Sequence, residues 1–250
     1  GSRLDPRRFP VVDGSYVMNV GELQMNITNW GLIGSEFSTV STFSDAPSAQ
    51  WPAGSGVEYL FGAGLWVGGV LVGQKLVSTG EFAHEIRCRD DLRDTIYEAK
   101  GTRLLRPAGN DIASGRRLPE PKPDDDEDGL IDEETINGYD DDGDGRIDED
   151  FGQIGNQMVV ATMVDNTRLA QEQNPAHTPL NLQIVQQAYQ WENDDVDDFV
   201  GFEFFITNIG VSPISNVYIG FFADCDIGGR SREQAAEDDL AGYFEGPVKA

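Results

Sequence analysis

Basic side chains, histidine and cysteine are all scarce in this sequence of 250 residues, and each shortage closes off a class of function. Eighteen Lys and Arg stand against 44 Asp and Glu, a formal charge of −26. A surface that acidic repels phosphate backbones and anionic headgroups, which excludes nucleic acid as a partner and argues against membrane-surface binding. Only two histidines occur, His84 and His177, and neither sits in a metal or triad pattern. HEIRC at 84–88 is not H-E-x-x-H, and G-x-S-x-G is missing. GSG (54–56) and GAG (62–64) lack the continuation of a dinucleotide or phosphate loop. Carboxylate pairs suited to glycoside hydrolysis can be drawn from 44 acids in countless ways, so their abundance carries no information. The expectation is that the chain is not an enzyme.

Long apolar runs are missing as well. The longest, 59–73, has 15 residues of which five are glycine. A bilayer needs roughly 20, so no transmembrane segment is expected. Within that run LWV-GG-VLV reads as two strands joined by a tight turn at Gly68-Gly69. Residues 1–12 contain no apolar signal-peptide core, so for an exported protein this chain would be the mature form or a trimmed piece of it. Two cysteines, Cys88 and Cys225, lie 137 residues apart. They fit either one disulfide closing a long loop or two buried thiols.

What the sequence does contain is period-two patterning. Leu23, Met25 and Ile27 alternate with Glu22, Gln24, Asn26 and Thr28, as in a half-buried strand. Further strands are expected at 36–43, 57–61, 65–72, 75–79, 157–165 and 182–191, with one short helix at 231–239. The clearest pair is 199–208 and 215–224, read as a hairpin around Gly210 and Pro213. Its strands are apolar on both faces. Val200, Phe202, Phe204 and Ile206 line one face, as do Val217, Ile219, Phe221 and Ala223, while Phe205, Tyr218 and Phe222 lie opposite. A solvated sheet would be polar there, so another segment of the chain or a neighbouring subunit should cover it.

The charge is concentrated. Residues 124–150 hold 11 Asp and 4 Glu against Arg146 alone, which is −14 in 27 residues and leaves −12 for the other 223. Residues 124–134 (DDDEDGLIDEE) and 140–150 (DDDGDGRIDED) match at 8 of 11 positions at an offset of 16. Both copies read D-x-D-x-D-G-x-I-D. Carboxylates at positions 1, 3 and 5 converge on a hard cation, glycine at 6 allows the sharp turn, 7 offers a carbonyl, and the acid at 9 closes the site. The expected Ca²⁺ ligands are Asp124, Asp126, Asp128, Leu130, Asp132 and Glu134 in one loop. In the other they are Asp140, Asp142, Asp144, Arg146, Asp148 and Asp150, with Leu130 and Arg146 contributing main-chain oxygen. Ile131 and Ile147 would anchor the loops. A further metal cluster is a candidate at Asp224 and Asp226, giving two sites and a third.

These repeats resemble EF-hand, dockerin and thrombospondin type 3 calcium loops, with departures. Position 12, a bidentate Glu in an EF-hand, is Thr135 or Phe151 here, and Pro119, Pro121 and Pro123 oppose an entering helix. The segment FFITNIGVSPISNVYIGFF resembles the strand-turn-strand of bacterial Ig-like surface modules of the CARDB-like type over some 25 residues. WPAGSG (51–56), AGLWVGG (63–69), NVYIGFFADCDIG (216–228) and DDLAGY (238–243) together look like large secreted surface proteins of environmental bacteria. That resemblance implies export.

The expected fold is all-β, a sandwich of Ig-like or jelly-roll-like kind interrupted by an acidic calcium-loop insertion. Its parts would be 1–118 with an extended N-terminal arm, the loops at 119–152, and 153–250. The expected function is an extracellular or cell-surface structural protein that binds Ca²⁺ and associates with itself through strands into a filament, tube or layer. The alternative is a calcium-assisted adhesive module for cell-surface glycans, served by Trp30, Trp51, Trp66 or Trp191.

Overall fold

The structure is a computed structural model that describes residues 14–35, 46–80, 85–89, 96–101, 103–105 (as backbone) and 153–228. Branched and aromatic residues on a two-residue period, separated by Gly, Asn and Pro, give short strands and turns rather than helices. Among the described residues eleven strands form two antiparallel sheets. The first sheet runs in the order β1 (Ser15–Met18), β2 (Met25–Thr28), β3 (Ile33–Gly34), β4 (Gly62–Leu71) and β11 (Ile214–Asp224). Strand β5 (Gln74–Thr79) pairs with the rest of the β4 edge that β3 occupies. The second sheet runs β10 (Gly201–Asn208), β9 (Leu182–Gln190), β8 (Gln157–Val164), β6 (Tyr97–Lys100) and β7 (Arg103–Leu105).

The sheets stack face to face as an all-β sandwich. Ile27, Ile33, Leu65 and Val67 from the first meet Val159, Met163, Leu182 and Ile184 from the second, all buried in one core. Each such side chain contributes about 1.5–3 kcal/mol by leaving water. The alternate residues of the second sheet, Met158, Val160, Tyr97 and Tyr189, form a second buried cluster on its outer face. A short helix, α1 (Arg168–Gln173), follows β8, with the Thr167 hydroxyl accepting from the Ala170 amide as its N-cap.

Strands expected at 65–72, 75–79, 157–165 and 182–191 are present as β4, β5, β8 and β9. Three expectations are corrected. Gly68-Gly69 is not a turn: β4 runs straight through it, and the chain reverses at Val72 and Gly73, whose φ angles of 49° and 80° suit a tight hairpin. Gly69 serves packing instead, since a Cβ there would lie 2.5 Å from Ile214 Cγ2. Second, 199–208 and 215–224 do not pair. Strand β10 bonds to β9 and β11 to β4, so residues 209–213 arch from one sheet to the other. Third, 57–61 is irregular apart from bridges at Glu58. The strand expected at 36–43 and the helix at 231–239 lie outside the described residues. Among the described residues no helix is long and apolar enough to cross a membrane.

Two polar assemblies hold the sandwich together. Gln157 and Gln190, cross-strand partners on β8 and β9, reach across to the connection between β1 and β2. The Gln157 side chain accepts from Asn19 N (2.7 Å) and donates to Val17 O (2.8 Å) and to Glu98. Gln190 accepts from Val20 N (3.0 Å) and donates to Leu23 O. At the far end of β8, the buried Asp165 carboxylate accepts from Ser78 Oγ, Leu180 N and Leu182 N, each at 2.7 Å. The adjoining ends of β8 and β9 are thereby tied to β5 of the first sheet.

Candidate functional site

All twelve residues of the two expected calcium loops, Asp124 to Asp150, lie outside the described residues. The further pair is described. Asp224 closes β11, its carbonyl accepting from Phe61 N at 2.7 Å, and Asp226 follows half-buried. Among the described residues no group of three His, Cys, Asp or Glu side chains gathers as a metal site. The neighbouring acidic stretch at 194–198 is a turn whose Asp197 carbonyl accepts from Glu22 N (2.7 Å) and Leu23 N (3.3 Å). Cys88 is buried and Cys225 exposed, and no disulfide joins them. Neither reading of the cysteines holds whole: no bridge forms, and of the two thiols only Cys88 is buried.

Ser78, Asp165 and His177 stand close together but not as a nucleophilic triad. The serine hydroxyl is bonded to the Asp165 carboxylate, while His177 Nε2 contacts the Asp165 main-chain oxygen at 2.8 Å. His177 Nδ1 lies 3.4 Å from Glu85 Oε1, and Glu85 also accepts from Thr79 and Asn174. Ser78 is completely buried, so the group joins α1 and β5 to the sandwich and offers no reacting atom to a substrate. Sequence reading missed this set because its members are scattered from 78 to 177 and meet only through the fold.

The described surface is most unusual on the side where β10 and β11 are the last strands of their sheets. Register places Ile219 opposite Val67 and Phe221 opposite Leu65, so both point into the sandwich. Yet Ile219 is 63% exposed and Phe221 53%. Tyr218, on the outer face of the same strand, is 75% exposed. From β10, Phe202 and Phe204 stack on each other and reach Phe221 at centroid distances of 6.5 and 6.3 Å. The three rings close the core only partly. A bulge between Ser215 and Tyr218, with Asn216 at φ 48°, re-aims the start of β11, where Val217 is exposed as well. Among the described residues β11 therefore has apolar side chains in water on both faces and one edge without a strand beside it.

The outer face of the first sheet carries a smaller feature. Trp66 stacks on Phe222, ring centroids 5.1 Å apart and planes 9° apart. Gly68 and Gly220 flank the pair, and a Cβ at Gly220 would meet nothing, so its lack of side chain simply leaves the face flat. Beside it a shallow depression of about 380 Å³ is lined by Val70, Lys75, Asn216 and Tyr218. Of the other tryptophans, Trp30 is buried, Trp191 half-buried, and Trp51 exposed edge-on to Tyr59 at 6.3 Å.

Among the described residues three ionisable groups are displaced from their ordinary range. Burial raises the Glu98 carboxyl, opposed by its bond from Gln157 and the charge of Lys100. Burial raises the Tyr16 phenol, with Glu98 adding to it, and burial followed by the Glu203 carboxylate raises Tyr189. All three lie in or on the sheets rather than in a cleft, so they bear on stability rather than chemistry.

No protein-family model matches this chain, and no curated protein or solved structure does. The functional reading rests on its own residues.

Proposed function

We propose that the chain is a calcium-binding structural domain of an extracellular or cell-surface protein, which associates with copies of itself through the strands at one side of its sandwich. The observation that carries the reading is β11, apolar and exposed on both faces at the end of a sheet. Among the described residues no strand lies along the outer edge of β11, beside Ile219, Phe221 and Tyr218, and a sheet edge of this kind is a template for another strand. Contiguous apolar surface of this kind marks association. The tandem D-x-D-x-D-G repeat supports calcium as the bound ion, and extracellular modules of this type fill at about 10⁻⁴–10⁻³ M, a concentration found outside cells. The likeness of FFITNIGVSPISNVYIGFF to Ig-like surface modules agrees with that location, because this segment forms β10, the arch and β11.

The test is sedimentation velocity and negative-stain microscopy of the purified chain with calcium and with EDTA. Concentration-dependent assemblies are expected; a monomer at every concentration in both buffers would refute the reading. A second reading is favoured by the Trp66–Phe222 stack, whose flat apolar surface suits the face of a pyranose ring, with Lys75 and Asn216 as nearby donors. Retention on neutral polysaccharide that is lost in Trp66→Ala would support that glycan-binding alternative.

A further inference from the structure

On the described strands of the first sheet only Lys75 and Asp224 are charged, in a chain of net −26. Leu76 packs against the core, so Lys75 points to the outer face, the side of Trp66 and Tyr218. Asp224 shares that face by register, six positions after Tyr218. Lys75 pairs with Val70 and Asp224 with Gly62, eight positions apart on β4, about 27 Å. A second acid, Glu85, accepts from Thr79, the cross-strand partner of Trp66. Both acids therefore stand at the Trp66 end of the face, and the cation stands at the other.

Between them the face has a floor without side chains. Gly68 and Gly220 sit in mid-strand, where glycine weakens a strand. Packing requires neither. Among the described residues a Cβ on Gly68 would approach only Leu76 O, at 3.7 Å, and one on Gly220 would meet nothing. Gly69 is the contrast, because Ile214 occupies its space. A strand glycine that packing does not explain marks a place where a ligand comes close to the backbone. Gly68 lies between Val77 on β5 and Tyr218 on β11, and Val70 between Lys75 and Ser215. They frame the depression of about 380 Å³, with Asn216 on its β11 flank.

We infer that this face binds an oligosaccharide in which a uronic acid stands beside a neutral sugar, the acid unit in the depression and the neutral unit on Trp66. This rests on the glycan-binding reading and names its ligand class. A pyranose ring offers an apolar C–H face to the glycine floor or the indole, and hydroxyls at its rim to the Asn216 amide. The Lys75 ammonium supplies a charge-assisted hydrogen bond for the carboxylate. Trp66 is two positions from Gly68 along β4, about 7 Å, so the two platforms take rings of one chain.

Charge decides between kinds of glycan. A wholly neutral chain leaves Lys75 without a counter-charge. A chain acidic at every unit brings a carboxylate toward Asp224 and Glu85, where like charges oppose it. The net charge of −26 also repels such a polyanion at long range. One cation at one end of an otherwise apolar trough matches one carboxylate beside a neutral ring.

The experiment is isothermal titration calorimetry of the full chain with three tetrasaccharides: glucuronic acid alternating with N-acetylglucosamine, N-acetylglucosamine alone, and galacturonic acid alone. The alternating chain is expected to bind about fivefold tighter than either, with a preference that shrinks as salt screens Lys75. Lys75→Gln should bring the alternating and neutral chains within about twofold of each other. Gly68→Val fills the floor and should abolish binding while the melting temperature holds, since valine suits a strand. Should that variant unfold, Lys75→Gln, a change at an exposed side chain, still decides. Equal binding of the neutral and alternating chains by the unaltered protein overturns the acid assignment and leaves glycan binding standing. Galacturonate bound as tightly as the alternating chain overturns the pairing of acid with neutral ring. Undiminished binding by a folded Gly68→Val places the ligand elsewhere, and binding of none of the three sinks the glycan reading with it.

Discussion

Gln157 and Gln190 face each other across β8 and β9, and each closes its side-chain amide onto the main chain between Val17 and Leu23. Two glutamines thereby do what a third strand would do: they satisfy buried donors and acceptors where the first sheet turns back on itself. Removing either leaves main-chain groups without partners. Gln190→Leu should destabilise by about 2–3 kcal/mol, since each buried group left unpaired costs about 1–3 kcal/mol. Gln157→Leu should cost more, because Glu98 loses its donor as well. Urea midpoints measure both; a midpoint unchanged in Gln157→Leu would remove this pair from the account of stability.

Glu98 gives a prediction whose sign follows from its burial. Its folded-state pKa is raised above 4.5, so the stability it contributes is complete below that value and is lost as pH rises through the folded pKa. The ionised form of the buried carboxyl is a liability. Glu98→Gln keeps an acceptor for Gln157 and removes the charge. The stability of the variant relative to wild type should therefore rise between about pH 4 and pH 7. Denaturation at the two pH values reads the difference, which also cancels the background of the other acids. A difference that falls over that interval would contradict the assignment.

Asp165 is the counterpart at the other end of β8. Three donors converge on its carboxylate, two of them main-chain amides at the start of β9. Asp165→Leu should cost about 3–5 kcal/mol, the range for stranding several buried partners, whereas Ser78→Ala should cost about 1 kcal/mol. Equal losses in the two variants would mean that the amides find other acceptors.

How far such features can be read from sequence depends on whether they are local. The period-two runs of β8 and β9 declare themselves because alternate residues enter one core. The tandem repeat at 124–150, from which a cation loop is expected, lies outside the described residues. Pairing is different. The segments that became β10 and β11 have every mark of a hairpin, yet a turn containing Gly210 and Pro213 serves equally to carry the chain between sheets. The Gly68-Gly69 turn was misplaced for a related reason. Glycine marks both reversals and close packing, and here Ile214, about 145 positions later, needs the space. Gln157, Gln190 and Asp165 are ordinary polar residues until the fold brings main-chain groups to them.

Calcium removal addresses the acidic repeat. A site at ten times its dissociation constant adds about 1.4 kcal/mol to the folded state. Excess EDTA should lower the melting temperature, and Asp126→Asn with Asp142→Asn should abolish the response to calcium. Differential scanning calorimetry provides both readings. A melting curve indifferent to chelation would refute the calcium assignment.

The last prediction separates folding from association at a single strand. Ile33 and Ile219 are both isoleucines pointing into the sandwich, but Ile33 is 1% exposed and Ile219 63%. Ile33→Ala removes fully buried methyl groups and should cost about 2–5 kcal/mol. Ile219→Lys places a charge that can still reach water and should change stability by less than about 1 kcal/mol. An inward-pointing charge on an edge strand is, however, what natural sheets use to refuse a neighbour. Ile219→Lys should therefore leave the melting temperature in place while assemblies of the full chain disappear. If it unfolds the protein instead, the inner face of β11 belongs to the core; if it does neither, the edge is not where copies meet.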